Sequence, residues 1–237
     1  MTKARLLSLL WVPCFSFNSP PALAETPAPP SATASAHESV IEELNQAKIE
    51  GVRHTLVEAM SWQKNAKAFR YVGTRETPTG GRTEETGEVR APDRMHVIMK
   101  KQIGDEPLSV EEVTTIKDRV FIKEADGKWI ESAAEKRNES PAFKSKAIED
   151  VKKHTEVKLI GRESLEGVPT EVYEFKVTNP LGLQLTLAGK AWVSPSDGFL
   201  RRMEAEGDLA GRRNKTTVVY TDYNSAMKIE APATASK

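Results

Sequence analysis

Apolar and polar residues alternate along most of this chain in runs of five to ten, and turn-forming residues separate the runs. Phe69 and Tyr71 share one face of a run from Ala68 to Thr77, with Arg70 and Val72 on the other. Gly80-Gly81 reads as a turn, Arg82 to Arg90 as a polar strand and Ala91-Pro92-Asp93 as a corner. Met95, Val97 and Met99 then alternate with Arg94, His96 and Lys100. Val110 to Ile116 and Arg119 to Lys123 are rich in β-branched residues, and Ala125-Asp126-Gly127 is a hairpin signal leading into Lys128-Trp129-Ile130. Further strands are expected at Val157–Gly161, Val172–Val177, from Leu183 to Val193, at Phe199–Ala205 and at Lys215–Tyr223. In Val172–Val177, Tyr173 and Phe175 oppose Glu174 and Lys176; after the Asn179–Gly182 turn, Leu185 and Leu187 alternate with Gln184 and Thr186.

Two segments keep a different period. From His37 to about Gln63, Val40, Ile41, Leu44, Ala47, Ile49, Val52, Leu56, Val57 and Met60 recur at three- and four-residue spacings, which predicts a long amphipathic helix weakened at Gly51. Ala142 to Thr155 carries Phe143, Ala147, Ile148 and Val151 at helical spacing just after Pro141. The pattern therefore gives about eleven strands and two helices. Strands joined by tight turns form antiparallel meanders, and the apolar face of such a sheet must be covered. With two amphipathic helices available as cover, a strongly curved sheet is expected to enclose an interior space.

The ends read differently. Lys3 and Arg5, the apolar run Leu6–Phe17 and Ala22-Leu23-Ala24 form a secretory signal, residues 1–24, cleaved after Ala24. This predicts a periplasmic protein. Pro13, Pro20 and Pro21 interrupt the run, which is too short for a membrane span. Cys14 is the only cysteine and lies inside the signal, with Pro13 at the place where a lipid-attachment signal needs a small residue. A mature chain cleaved there has no disulfide and no thiolate. Residues 25–36 form a Pro-, Ala- and Ser-rich leader, residues 37–230 the folded domain, and residues 231–237 a similar tail. The formal net charge is zero, which argues against nucleic acid as a partner.

Several short pieces follow one another in a definite order. They are Val89-Arg90-Ala91-Pro92-Asp93-Arg94-Met95, Asp126-Gly127-Lys128-Trp129, the strand from Gly167 to Phe175 (GVPTEVYEF), Trp192–Glu204 (WVSPSDGFLRRME) and Tyr220-Thr221-Asp222-Tyr223-Asn224. In this order the chain resembles the superfamily of the outer-membrane lipoprotein carrier, the LolA-like half-barrels. The resemblance implies an α+β fold: an antiparallel, strongly curved, half-open β-barrel with a helical lid and an apolar interior for acyl chains. It also implies no catalysis. The carrier's Arg before the corner Pro and the aromatic on the next strand correspond here to Ala91 and Met95, with Arg90 the nearest cation.

Candidate chemistry adds little. His37, His54, His96 and His154 have no metal-ligand spacing, no Ser sits in a nucleophile elbow, and Gly80-Gly81 lacks the residues of a phosphate loop. Glu84-Glu85 and Glu111-Glu112 point to opposite strand faces and read as solvated pairs. No cofactor, metal or catalytic residue is expected. The candidate lining of the lipid cavity is Phe69, Tyr71, Met95, Val97, Met99, Trp129, Tyr173, Phe175, Leu185, Leu187, Trp192 and Met203, with the two tryptophans at its rim. Each of these residues taken singly reads more readily as ordinary core. The expected partners are lipid or lipoprotein acyl chains, with an inner-membrane transporter or an outer-membrane acceptor for delivery, and the chain is expected to be a monomer. Two other readings stay open: an envelope-stress sensor that binds a protein through the same half-barrel, and a structural envelope protein with a filled core.

Overall fold

The computed structural model describes residues 36–60, 66–133, 149–179, 184–209 and 212–233. The signal, the leader before Ala36, Cys14, the helix end at Gln63, Leu183, residues 142–148 of the second helix and the last four tail residues lie outside these. The chain divides into two units, residues 1–44 and 45–237. Of the first, residues 36–44 are described and are helical.

Helix α1 (Ala36–Met60) runs through Gly51 without a break. In the second unit its apolar side buries Leu56, Val57 and Ala59, while Ile49, counted in the predicted stripe, is exposed. Eleven strands follow: β1 (Ala68–Glu76), β2 (Gly81–Arg90), β3 (Arg94–Ile103), β4 (Ser109–Ile116), β5 (Arg119–Lys123), β6 (Trp129–Ala133), β7 (Thr155–Leu165), β8 (Val168–Thr178), β9 (Leu185–Val193), β10 (Leu200–Leu209) and β11 (Arg212–Thr221). Residues 149–153 are helical, and Thr155, assigned to that helix from the sequence, instead opens β7 opposite Val177.

All eleven strands form one sheet in the order β6-β5-β4-β3-β2-β1-β11-β10-β9-β8-β7, with every pairing antiparallel. It consists of two meanders, β1–β6 and β7–β11, joined by a single seam between β1 and β11. Strands β6 and β7 stand at opposite edges, so the barrel is half open, and the fold is α+β with few helices. A flat sheet of this width would measure about 48 Å at roughly 4.8 Å per gap. Two glycines show how it bends instead. A Cβ on Gly189 of β9 would stand 1.9 Å from the Glu204 carbonyl oxygen of β10, so only glycine permits that close approach. A Cβ on Gly87 of β2 would stand 2.1 Å from the Tyr71 ring, which occupies the place of the missing side chain.

A final segment lies past β11. Met227 and Ile229 are buried with Ala68, and their carbonyls accept hydrogen bonds from Arg90 (3.2 Å) and Arg94 (2.6 Å). The two arginines at the corner therefore hold the C-terminal segment.

Candidate functional site

Directly paired residues of an antiparallel sheet point to the same side, so the register sorts side chains into two faces. One row runs Tyr220–Tyr71–Gly87–Val97–Val113–Ile122–Ile130 across β11, β1, β2, β3, β4, β5 and β6. Another runs Val218–Met203–Ala191–Tyr173–Leu159 across β11, β10, β9, β8 and β7. Rows on the same side carry Phe69, Met95, Met99, Phe175, Leu185 and Leu187. Ten of the twelve predicted lining residues thus share one face. Seven of them are buried: Phe69, Tyr71, Val97, Met99, Tyr173, Phe175 and Met203. Met95, Leu185 and Leu187 are half-buried.

The two tryptophans are corrections. Trp192 pairs with Val172 and Arg202, and Trp129 with Lys123, all on the opposite face. Each is sequence neighbour to an inward residue, Ala191 or Ile130, and strand alternation turns it outward. Trp192 is buried there: its indole N–H donates to Glu163 and the Arg202 guanidinium lies 5.3 Å from its ring centroid. The Lys123 ammonium lies 5.7 Å from the Trp129 ring centroid and pairs with Glu112 at 2.8 Å.

Sequence reasoning missed a polar group on the apolar face. Glu85 and Glu84 do point opposite ways, but Glu85 is not solvated; it is only 8% exposed. The Tyr71 hydroxyl donates to its carboxylate at 2.5 Å. Burial raises the pKa of Glu85 above the ordinary carboxylate value, against the opposing effects of the Tyr71 hydrogen bond and the Arg75 charge. Burial and the Glu85 charge together push the Tyr71 phenol far above its ordinary range. Tyr220, with its ring centroid 6.3 Å from that of Tyr71, shifts the same way for the same reasons. Arg75 pairs with Thr83 and Thr216 in the next row, and burial lowers its pKa. The Thr216 hydroxyl is buried and has no hydrogen-bond partner among the described residues. The available sequence signal was Glu85 at an inward position of a strand that pairs with the Phe69/Tyr71 strand.

Apart from Trp192, Val172 and Phe121, which are buried on it, the opposite face is mostly polar. A cleft of about 750 Å³ runs over β7 to β11, and most of its walls are outward residues. Lys158, Glu174, Lys190 and Glu204 alternate in charge across one row of it, and Glu156 and Lys176 pair in the next. Such cross-strand pairs support the sheet and keep this side wet. Glu111-Glu112, read as solvated, is half-buried; Glu112 also approaches His96 Nε2 at 3.6 Å.

No family model matches this chain, and no curated protein does. Among solved structures it is similar to MucB, at 15% identity and a TM-score of 0.41 over 79% of this chain and 61% of that one. It is also similar to the Pseudomonas aeruginosa MucA/MucB complex, at 14% and 0.40 over 78% and 59%. A LolA superfamily protein from Nitrosomonas europaea matches at 11% and 0.30 over 76% and 94%. The chain spans about three-fifths of the length of the MucB chains it matches.

Proposed function

We propose that this chain binds the acyl chains of a lipid or of a lipid-modified protein on the inner face of its half-barrel, shields them from water and does no chemistry on them. The observation that supports this reading is the shared face: ten apolar positions on β1, β3, β8, β9 and β10 converge on one side of an open sheet, and some are left half-buried. Each acyl methylene buried there contributes about 0.8 kcal/mol, so a dozen give on the order of 10 kcal/mol before ordering costs. In this reading residues 37–230 are the binding domain of a periplasmic carrier freed by cleavage after Ala24. An inner-membrane transporter or an outer-membrane acceptor would be its delivery partner.

The test is organic extraction of the full-length chain purified from its secreting host, followed by mass spectrometry. Stoichiometric co-purified acyl lipid is the expected result. A lipid-free protein that also fails to bind a fluorescent fatty-acid probe overturns the carrier reading. If that protein is found instead in a tight complex with another periplasmic chain, the sensor reading takes its place.

A further inference from the structure

We propose that the C-terminal arm of this chain, residues 226–233, is a stand-in occupant of a docking groove, and that the groove takes an extended, acidic segment of a partner protein in its place. Ala68, Arg90 and Arg94 form the groove on the face opposite the apolar one, so the proposal goes beyond acyl binding and does not depend on it.

The register places the groove. Ala68 pairs with Arg90, Arg90 with Arg94 and Arg94 with Ile116, in the row next to Phe69–Val89–Met95 and therefore on the other face. Two arginines thus stand directly opposite each other on neighbouring strands, an arrangement that like charges disfavour. Neither has a carboxylate partner among the described residues, Asp93 of the corner between them included. Each instead donates to a carbonyl of the arm, Arg90 to Met227 at 3.2 Å and Arg94 to Ile229 at 2.6 Å. The chain is anchored just before the arm, where Asn224 accepts from the Lys67 N–H at 2.7 Å and donates to the Ala68 carbonyl at 2.8 Å. Past that anchor the arm pairs with no strand, and among the described residues those two carbonyls make its only hydrogen bonds to the rest of the domain. Met227 and Ile229 are buried, whereas Ala226, Lys228 and Glu230 are exposed. A segment held by so little opens more readily than the sheet beneath it.

The arm shows what fits. In an extended chain, residues two apart present their side chains to one side. Met227 and Ile229 use that spacing to bury with Ala68 while their carbonyls meet the two guanidiniums. The arm also shows what is missing. It offers the arginines neutral acceptors only, and its one carboxylate, Glu230, is paired with Lys228 at 2.8 Å. Hydrogen bonds from a guanidinium to a carboxylate are roughly twice as strong as those between neutral groups, and a carboxylate here would also balance the facing charges. A partner segment with the same apolar spacing and an acid in place of Lys228 therefore fits the groove better than the arm does. The covalent tether, which gives the arm a high effective concentration, is what keeps it seated.

The experiment uses the full chain and two fluorescein-labelled peptides, one with the sequence of residues 225–233 and one carrying Lys228→Glu in that sequence. By fluorescence anisotropy the acidic peptide should bind about tenfold more tightly than the arm's own sequence, and should weaken severalfold as salt is raised. Ile229→Ser in the chain loosens the arm and should tighten both peptides by about tenfold, because a tethered competitor is lost. Arg90→Gln combined with Arg94→Gln keeps donors for the arm's carbonyls and should abolish the preference for the acidic peptide, with the circular dichroism of the parent. Equal binding of the two peptides, affinities unmoved by Ile229→Ser, or no binding to either chain overturns the proposal. If Ile229→Ser does not fold, the arginine variant decides: a preference that survives it overturns the proposal. Vesicles of anionic phosphatidylglycerol that bind through Arg90 and Arg94 while neither peptide does would make the pair a membrane contact and overturn it as well.

Discussion

Along most of β8 to β11 the inner face is closed, with Leu185 and Leu187 of β9 left half-buried, whereas along β5 and β6 the same face is only half covered. Phe175, Val177, Ala191, Val193, Met203 and Ala205 are all buried. Across the seam, Val97 and Val113 are still buried, but Val120 and Ile122 are half-buried and Ile130 is 38% exposed. The two regions carry the same alternation in sequence. What differs is how much lies opposite each residue, and alternation says nothing about that. Added apolar surface gains most where area is still exposed, so the β5–β6 side is where a bound chain would contribute most.

Three measurements can break or sharpen this contrast. The largest effect is expected from Phe175→Ala, which should cost about 3–5 kcal/mol in urea unfolding, whereas Ile122→Ala should cost about 2 kcal/mol or less. Equal losses would erase the difference between the regions. Next, Ile130→Glu should leave the unfolding midpoint within about 1 kcal/mol of the parent yet weaken a fluorescent fatty-acid probe by about tenfold. If probe binding is untouched, the open side is not where the chain lies. The smallest effect concerns pH. The folded protein protonates Glu85 at a pH where the unfolded chain still holds it ionised. Stability therefore grows as pH falls through the window just above the ordinary carboxylate value, and the gain is complete below it. Among the described residues, Arg75, Tyr71 and Tyr220 interact electrostatically with this carboxylate. The melting temperature should rise modestly on mild acidification in the parent, and this component should vanish in Glu85→Gln.

Legibility followed physical locality. In β8, Tyr173 and Phe175 alternate cleanly with Glu174 and Lys176, and strand and facing were both readable. In β7 the sequence after Gly161 is Arg162-Glu163-Ser164, too polar to read as a strand, yet it pairs with β8 through Leu165. A register shift between Leu159 and Gly161 also resets the phase there. The tryptophans were assigned by chemistry rather than by period, and the period was the better guide. Glu85 was read as wet because alternation within β2 does not show that the Tyr71 hydroxyl of the neighbouring β1 meets its carboxylate. The strand and helix pattern carried a strongly curved antiparallel sheet, and its half-open form came only from the resemblance of the ordered motifs; the β1–β11 seam joining the two meanders is invisible to any local pattern.

That seam has a consequence for chain connectivity. Arg70 of β1 and Asp222 just past β11 form an ion pair at 2.9 Å although they are 152 positions apart. Closing a loop of that length costs on the order of 4 kcal/mol in chain entropy before any seam contact forms. Everything else in the sheet pairs strands that are sequence neighbours. The N-terminal end of β1 lies beside the C-terminal end of β11, where the Asn224 amide donates to the Ala68 carbonyl at 2.8 Å. A circular permutant opened between β6 and β7, with β11 leading through the C-terminal segment and α1 into β1, would thread the strands of the sheet in spatial order. The same architecture would then pair only strands that are consecutive in sequence, which moves it from the slow end of the contact-order scale toward the fast one.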